Sequence, residues 1–102
     1  MFTQEQINNV VNTIKKVSNP TAIYLFGSYA SGSQTDNSDL DIAIIKSEIN
    51  DEFKEAFNIR KALFGNGISM DLLFFEEKNY KSRTAVLGTV QYEIENKGKR
   101  LL

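Results

Sequence analysis

The chain of 102 residues contains no cysteine, no histidine and no tryptophan, and its single proline is Pro20. Without cysteine it cannot form disulfides, thiolate nucleophiles or cysteine-ligated zinc sites. Without histidine it also lacks Ser-His triads and the usual imidazole metal ligands. Carboxylates, lysine and tyrosine therefore remain as the groups that could transfer protons in a catalytic site.

Long apolar runs and an excess of positive charge are also missing. No apolar run approaches about 20 residues, the length that crosses a bilayer, and the first residues show no secretory signal. With 12 Lys and Arg against 13 Asp and Glu the net charge is -1, which disfavours broad nucleic-acid binding. We expect a cytoplasmic protein with one domain over residues 1–102, since domains commonly have about 100–150 residues.

Apolar periodicity predicts helices that alternate with strands. Strands are predicted over residues 22–26, 39–45 and 68–75, with a short edge strand over 99–102. Helices are predicted over residues 3–18, 51–64 and 76–97, the last of them loosened near 81–84 and 88. The predicted fold class is α/β (α+β), a small mixed sheet of three to four strands covered by helices. A mixed sheet is favoured because about ten residues are short for a parallel crossover between the first two strands.

Five phenylalanines stand out as candidates for the hydrophobic core. Aromatic side chains of this kind are more often buried than used to stack on bases. The predicted core aromatics are Phe53, Phe57, Phe64, Phe74 and Phe75.

Carboxylates occur at unusual places in two of the predicted strands. Asp39 and Asp41 begin the second strand and project to the same side, about 6.5 Å apart along the chain. Asp71 is the only charge in the third run and is expected to be buried, without a basic neighbour. Such acidic side chains repel one another unless a cation is present, and Mg²⁺ suits carboxylates together with phosphate oxygens. We therefore predict a metal site at Asp39, Asp41 and Asp71.

Gly27 and Ser28 end the first strand in a form that suits a phosphate. Gly27 lets the backbone approach a ligand closely, and Ser28 offers an amide and a hydroxyl to phosphate oxygens. Two metal ions beside a triphosphate would activate an attacking hydroxyl and stabilise the leaving pyrophosphate. Asp71 is the candidate general base of this reaction.

The segments 27–32 and 38–42 together resemble the minimal nucleotidyltransferase family, within the DNA polymerase beta-like superfamily. The third carboxylate of that family lies between apolar residues on a later strand, which matches Asp71, and its closing helix and short strand match residues 92–102. The resemblance implies catalytic and metal-ligating roles for Asp39, Asp41 and Asp71. It implies nucleotide-binding roles for Gly27, Ser28 and Ser38.

One position departs from the family, which often has arginine where this chain has Ser31. A basic residue elsewhere could replace that contact with the triphosphate. The candidates are Lys46, Arg60, Lys81 and Arg83.

The resemblance also implies a reaction and a partner. It predicts transfer of AMP from ATP, or of another nucleotide from its triphosphate, with two Mg²⁺ ions and Mn²⁺ as the alternative metal. The partner would be a HEPN-domain ribonuclease toxin modified on tyrosine, with this chain as its antitoxin. Two alternatives stay open: an antitoxin that acts by binding alone, and a small-molecule nucleotidyltransferase whose pocket lies at a homodimer interface. Homo-oligomers and hetero-oligomers are both compatible with the sequence.

Overall fold

Over residues 2–102, which are those that the computed structural model describes, the chain forms five helices and four strands. In chain order they are α1 Gln4–Ser18, β1 Ala22–Phe26, α2 Ser28–Ser31, β2 Leu40–Lys46, α3 Glu52–Ala62, β3 Met70–Glu76, α4 Glu77–Arg83, α5 Val90–Lys97 and β4 Lys99–Arg100. The predicted fold class and the order of the elements are confirmed. No helix in these residues is both long and apolar enough to cross a membrane.

The four strands form one mixed sheet in the order β3-β2-β1-β4. β1 is antiparallel to both β2 and β4, whereas β2 and β3 run parallel. This agrees with the lengths of the connections, because the short β1–β2 loop permits only an antiparallel return and α3 supplies the crossover between parallel strands. β3 is an edge strand, so its outer side is free of a neighbouring strand in the described chain.

Local sequence signals explain the ends of the first helix. The hydroxyl of Thr3 accepts from the backbone N–H of Gln6, and the Gln6 side chain accepts from the Thr3 N–H, which forms a capping box. The helix ends at Asn19, whose φ of 49° is left-handed, directly before Pro20.

Helices cover both faces of the sheet because its strands are apolar on both sides. α1 and α3 pack on one face, where Ile14, Ile23, Ile42 and Ile59 are fully buried. α4 and α5 cover part of the opposite face, where the core residues are Ala22, Tyr24, Ala43, Ile45, Tyr80 and Ile94. Side chains alternate along a strand, so the odd-numbered residues of β2 and β3 face α4 and α5. Asp41 and Asp71 therefore lie on that face.

Three of the five predicted core aromatics are exposed, so the prediction is wrong for them. Phe53 is 87% exposed, Phe57 63% and Phe64 91%. The buried side of α3 is formed instead by Ile59, with Leu63 just after the helix. The sequence pattern had combined two neighbouring helix faces into one. Phe74 is buried and Phe75 is half-buried, in agreement with the prediction.

Candidate functional site

The parallel register of β2 and β3 places Asp41 directly beside Asp71. Neighbouring strands lie about 4.8 Å apart, so the two carboxylates share one small region of the same sheet face. Asp39 lies two residues before Asp41, exposed in the connection that leads into β2. Asp71 is exposed as well, and the prediction that it is buried is wrong. Its strand is at the edge, and α4 and α5 cover the other end of this face.

Asp41 is the carboxylate whose environment is most perturbed. Partial burial raises the pKa of Asp41 above its ordinary value of 3.8. The charge of Asp71, a hydrogen bond with Asp71 and the charge of Asp39 raise that pKa further. The three predicted carboxylates therefore interact electrostatically, with Asp41 as the central one.

Gly27 lies against the Asp41 side chain and leaves no space between them. The pairing of Phe26 with Asp41 brings the end of β1 to this carboxylate, and Gly27 follows at once. Gly27 has φ 71° and ψ -148°, a conformation that favours glycine. A Cβ atom placed on it would lie 2.2 Å from Oδ2 of Asp41. Glycine is therefore required at this position, because any side chain would collide with the Asp41 carboxylate.

The serines of the predicted phosphate loop are held by contacts within the loop. Ser28 is half-buried and begins α2. The Ser31 hydroxyl donates to the Ser28 carbonyl at 3.2 Å and lies 2.8 Å from the Ser33 hydroxyl. Ser38, also half-buried, accepts from the Thr35 N–H at 2.8 Å and so shapes the turn before Asp39. Their nucleotide contacts remain predictions.

A contact that the sequence did not reveal ties this loop to the N-terminal segment. The Tyr29 hydroxyl accepts from the Phe2 N–H at 3.1 Å, and the two rings stack with centroids 5.7 Å apart. The partners are 27 residues apart, so no local spacing pattern could indicate the contact. It holds α2 in position next to Gly27.

The carboxylates of the candidate site suit a metal ion that is also bound by water and by the substrate. Within residues 2–102, no group of three or more acidic side chains is placed to hold an ion together. Asp41 and Asp71 nevertheless provide two adjacent carboxylates. Mg²⁺ is commonly bound by one or two carboxylates plus water and substrate phosphates. These residues thus suit a metal that binds together with a triphosphate.

The four basic candidates occupy different parts of the molecule. Lys46 pairs with Glu55 at the far end of β2, and Lys81 pairs with Glu77 on α4. Arg83 lines a hollow near the far end of β3. Arg60 donates to the carbonyl of Met70 at 3.1 Å, next in sequence to Asp71. Its contact is therefore adjacent to Asp71 in sequence, although α3 and the carboxylates lie on opposite faces of the sheet.

Asp41→Asn is expected to stabilise the metal-free protein at pH 7. A raised pKa in the folded state means that ionisation of Asp41 disfavours folding. Removing one of two like charges on neighbouring strands is worth about 0.5 kcal/mol, or about 2–4 °C in Tm. In wild type, protonated Asp41 does not destabilise the fold, so the protein is relatively more stable below the pKa of Asp41 in the unfolded chain. This stability is lost as pH rises through the raised pKa of Asp41 in the folded protein.

Thermal unfolding at pH 7 and at pH 3.5, without divalent cations, measures this effect. The gain from Asp41→Asn should be largest at pH 7 and should shrink in acid, where the wild-type carboxyl is protonated. Glu48→Gln, a change of the same type at an exposed loop position, is the control and should leave Tm unchanged. A lower Tm for Asp41→Asn at pH 7 would contradict the repulsion.

Several solved structures share this fold. A toxin-antitoxin solved with AMP-PNP is 27% identical over 92% of this chain and 71% of that chain, with a TM-score of 0.64. The toxin-antitoxin MntA-HpeT, in a mutant form, is 24% identical over 93% of this chain and 70% of that chain, with a TM-score of 0.65. A second mutant form of MntA-HpeT is 23% identical over all of this chain and 73% of that chain, with a TM-score of 0.61.

The structures under 25% identical to this chain bear on the fold alone. A family model gives more direct evidence of the family. A search of curated proteins finds no significant match. The family model described as "Polymerase beta, Nucleotidyltransferase" matches residues 8–102, which contain Gly27, Asp41 and Asp71. The match covers nearly the whole chain and every strand of the sheet. The chain therefore belongs to the polymerase beta nucleotidyltransferase family.

Proposed function

We propose that the chain transfers AMP from ATP to a hydroxyl group of a partner protein, with Asp39, Asp41 and Asp71 in its catalytic site. The observation that carries this proposal is the side-by-side position of Asp41 and Asp71, with the backbone of Gly27 against Asp41. Membership of a nucleotidyltransferase family supports the type of reaction. The similar toxin-antitoxin with AMP-PNP supports ATP as the nucleotide.

The chain's own residues divide the work of the reaction. Gly27 and Ser28 follow β1 directly beside Asp41, where the triphosphate would run along their backbone. Asp71, exposed at the sheet edge, is open to an acceptor that approaches from solvent. The acceptor oxygen attacks the α-phosphorus of ATP, its proton passes to Asp71, and the bond from the α-phosphorus to the bridging oxygen breaks to release pyrophosphate.

Asp41 and Asp71, joined by Asp39 when the triphosphate is bound, would hold two Mg²⁺ ions, or Mn²⁺ as the alternative. These ions would lower the pKa of the acceptor hydroxyl and offset the charge of the triphosphate. The raised pKa of Asp41 is consistent with a carboxylate that gains from a nearby cation. This gain is the reverse of the repulsion that destabilises the metal-free protein.

The proposed acceptor is a tyrosine of a HEPN-domain ribonuclease toxin, and the chain is then an antitoxin. The likeness to the toxin-antitoxin solved with AMP-PNP supports this biological role.

Mass spectrometry of the partner tests the proposal. The chain and a HEPN-domain protein are co-expressed, purified and incubated with ATP and Mg²⁺. We expect the partner to gain the mass of AMP on a tyrosine with wild type, and no gain with Asp39→Asn or Asp41→Asn. Glu48→Gln serves as the control and should support the full gain.

The alternatives give different results in the same experiment. If the partner is neutralised by both wild type and Asp41→Asn without any adduct, the chain acts by binding alone. If the partner gains no AMP but a small molecule with a hydroxyl group does, the acceptor is a small molecule. Either result would reject the proposed reaction.

A further inference from the structure

The outer side of α3 carries three phenylalanines that nothing in the described chain covers. Phe53, Phe57 and Phe64 are 87%, 63% and 91% exposed. Their separations of four and seven residues place them along one side of the helix and of the turn that continues it. At 1.5 Å per residue they extend over about 16 Å. We call these three residues the aromatic stripe.

The exposed area of the aromatic stripe is large for a protein of this size. With about 200 Å² for each phenylalanine side chain, the three exposed fractions correspond to roughly 500 Å². The largest apolar patch on a typical monomer is about 300–600 Å², and specific interfaces bury about 800 Å² on each partner. The stripe alone could therefore form the centre of a specific interface.

The residues beside the aromatic stripe are basic. Lys54 and Lys61 are seven residues apart and flank it on one side, and neither forms an ion pair with any residue between 2 and 102. The acidic residues of α3 are directed elsewhere, because Glu55 pairs with Lys46 and Glu52 lines a separate hollow beside Phe74. The surface is therefore apolar at its centre and positive at its margin.

This distribution of charge selects among the occupants that could cover the stripe. A second copy placed face to face on it would bring Lys54 and Lys61 of both copies together, which costs affinity. A partner with carboxylates around its apolar residues would instead be attracted. We infer that the aromatic stripe is the docking surface for the acceptor protein, through an apolar segment flanked by Asp or Glu. This inference rests on the proposed function.

The aromatic stripe and the candidate site are connected around the edge of the sheet. α3 packs on one face, and Asp41 and Asp71 lie on the opposite face. A hollow of about 350 Å³ is lined by Arg60, Phe64 and Met70 and joins the end of the stripe to the start of β3. Since β3 is an edge strand, a partner bound on the stripe would reach Asp71 by extending around its free edge.

Binding measurements with paired variants test the inference. The full chain is titrated with the HEPN-domain protein by calorimetry, without ATP, so that binding is measured apart from transfer. Phe53→Ser combined with Phe57→Ser should weaken binding by at least about thirtyfold, as expected for central aromatic residues of an interface. Lys54→Glu combined with Lys61→Glu should weaken it by about tenfold and reduce its dependence on salt.

Leu87→Ser is the matched control, because Leu87 is 78% exposed but lies between α4 and α5, on the opposite side of the sheet. It should bind the partner within twofold of wild type. All variants alter exposed positions, so each should keep Tm within about 3 °C and bind ATP with Mg²⁺ as wild type does.

The remaining outcomes separate this inference from the proposed function. Binding that needs the stripe, without any AMP adduct, keeps the docking surface and rejects the transfer. If the partner is still bound and modified after both Phe substitutions, the docking surface is rejected and the proposed function is kept. The inference is also overturned if the partner does not bind wild type. It is overturned if the stripe variants convert a wild-type dimer to monomer in light scattering, because the stripe would then bind a second copy. It is overturned as well if these variants abolish binding of a single-stranded oligonucleotide, because the stripe would then bind nucleic acid.

Discussion

Asp71→Asn is expected to lower the rate of AMP transfer to the partner by about 10³-fold while leaving the fold intact. Asp71 is exposed at the edge of the sheet, so the change removes no packing. It does remove a proposed general base, worth about 10²–10⁴ in rate, and one of the two adjacent carboxylates. Single-turnover transfer of labelled AMP from ATP at saturating Mg²⁺ measures the loss.

Two comparisons make this result specific. Tm of Asp71→Asn should equal or slightly exceed that of wild type, since the change also relieves repulsion with Asp41. The partner should bind as before, because Asp71 lies outside the aromatic stripe. If the variant retains a tenth or more of the wild-type rate, Asp71 is not the base. If Mg²⁺ above the concentration that saturates wild type fully restores the rate, the role of Asp71 is metal binding alone.

The sheet could be predicted from the sequence because its strands carry local signals. Ile23, Ile42 and Ile44 lie in short, almost wholly apolar runs bounded by turn residues, which is the pattern of strands buried on both faces. The length of the β1–β2 connection also predicted the direction of these strands. The fold therefore followed from patterns that extend over no more than about ten residues.

The surroundings of Asp71 could not be predicted in the same way. Its neighbours in sequence are apolar, which suggested burial, but exposure depends on the position of β3 in the sheet. Strand order is set by crossovers and by which helix covers which face, and neither is written in the neighbouring residues. The register of Asp41 with Asp71 is likewise a tertiary result.

The exposed phenylalanines of α3 show a second limit of pattern reading. Phe53, Phe57 and Ile59 all suit the apolar side of a helix, yet a helix on a sheet buries only one stripe. Ile59 takes the buried side, and the aromatic residues are left outside. A pattern wider than one stripe therefore indicates either a fully buried helix or a second binding surface, and the sequence alone does not distinguish them.

Gly27→Ala is expected to reduce AMP transfer by about 10²-fold and to lower Tm by about 5–15 °C. The backbone at Gly27 has φ 71° and ψ -148°, which costs a residue with a Cβ about 1–3 kcal/mol. The added Cβ would also meet Oδ2 of Asp41 at 2.2 Å, so that carboxylate must move from its position beside Asp71. A displacement of this size in a catalytic group commonly costs about 10²-fold in rate.

Backbone strain and the collision with Asp41 can be separated experimentally. Gly32 also has a positive φ, 78°, but a Cβ there would meet nothing within 4 Å. Gly32→Ala should therefore lower Tm through strain and keep most of the transfer rate. In an Asp41→Ala background, Gly27→Ala should lose part of its effect on Tm, because only the strain remains. An equal loss of Tm in both backgrounds would show that Gly27 is required for its conformation alone, without crowding against the carboxylate.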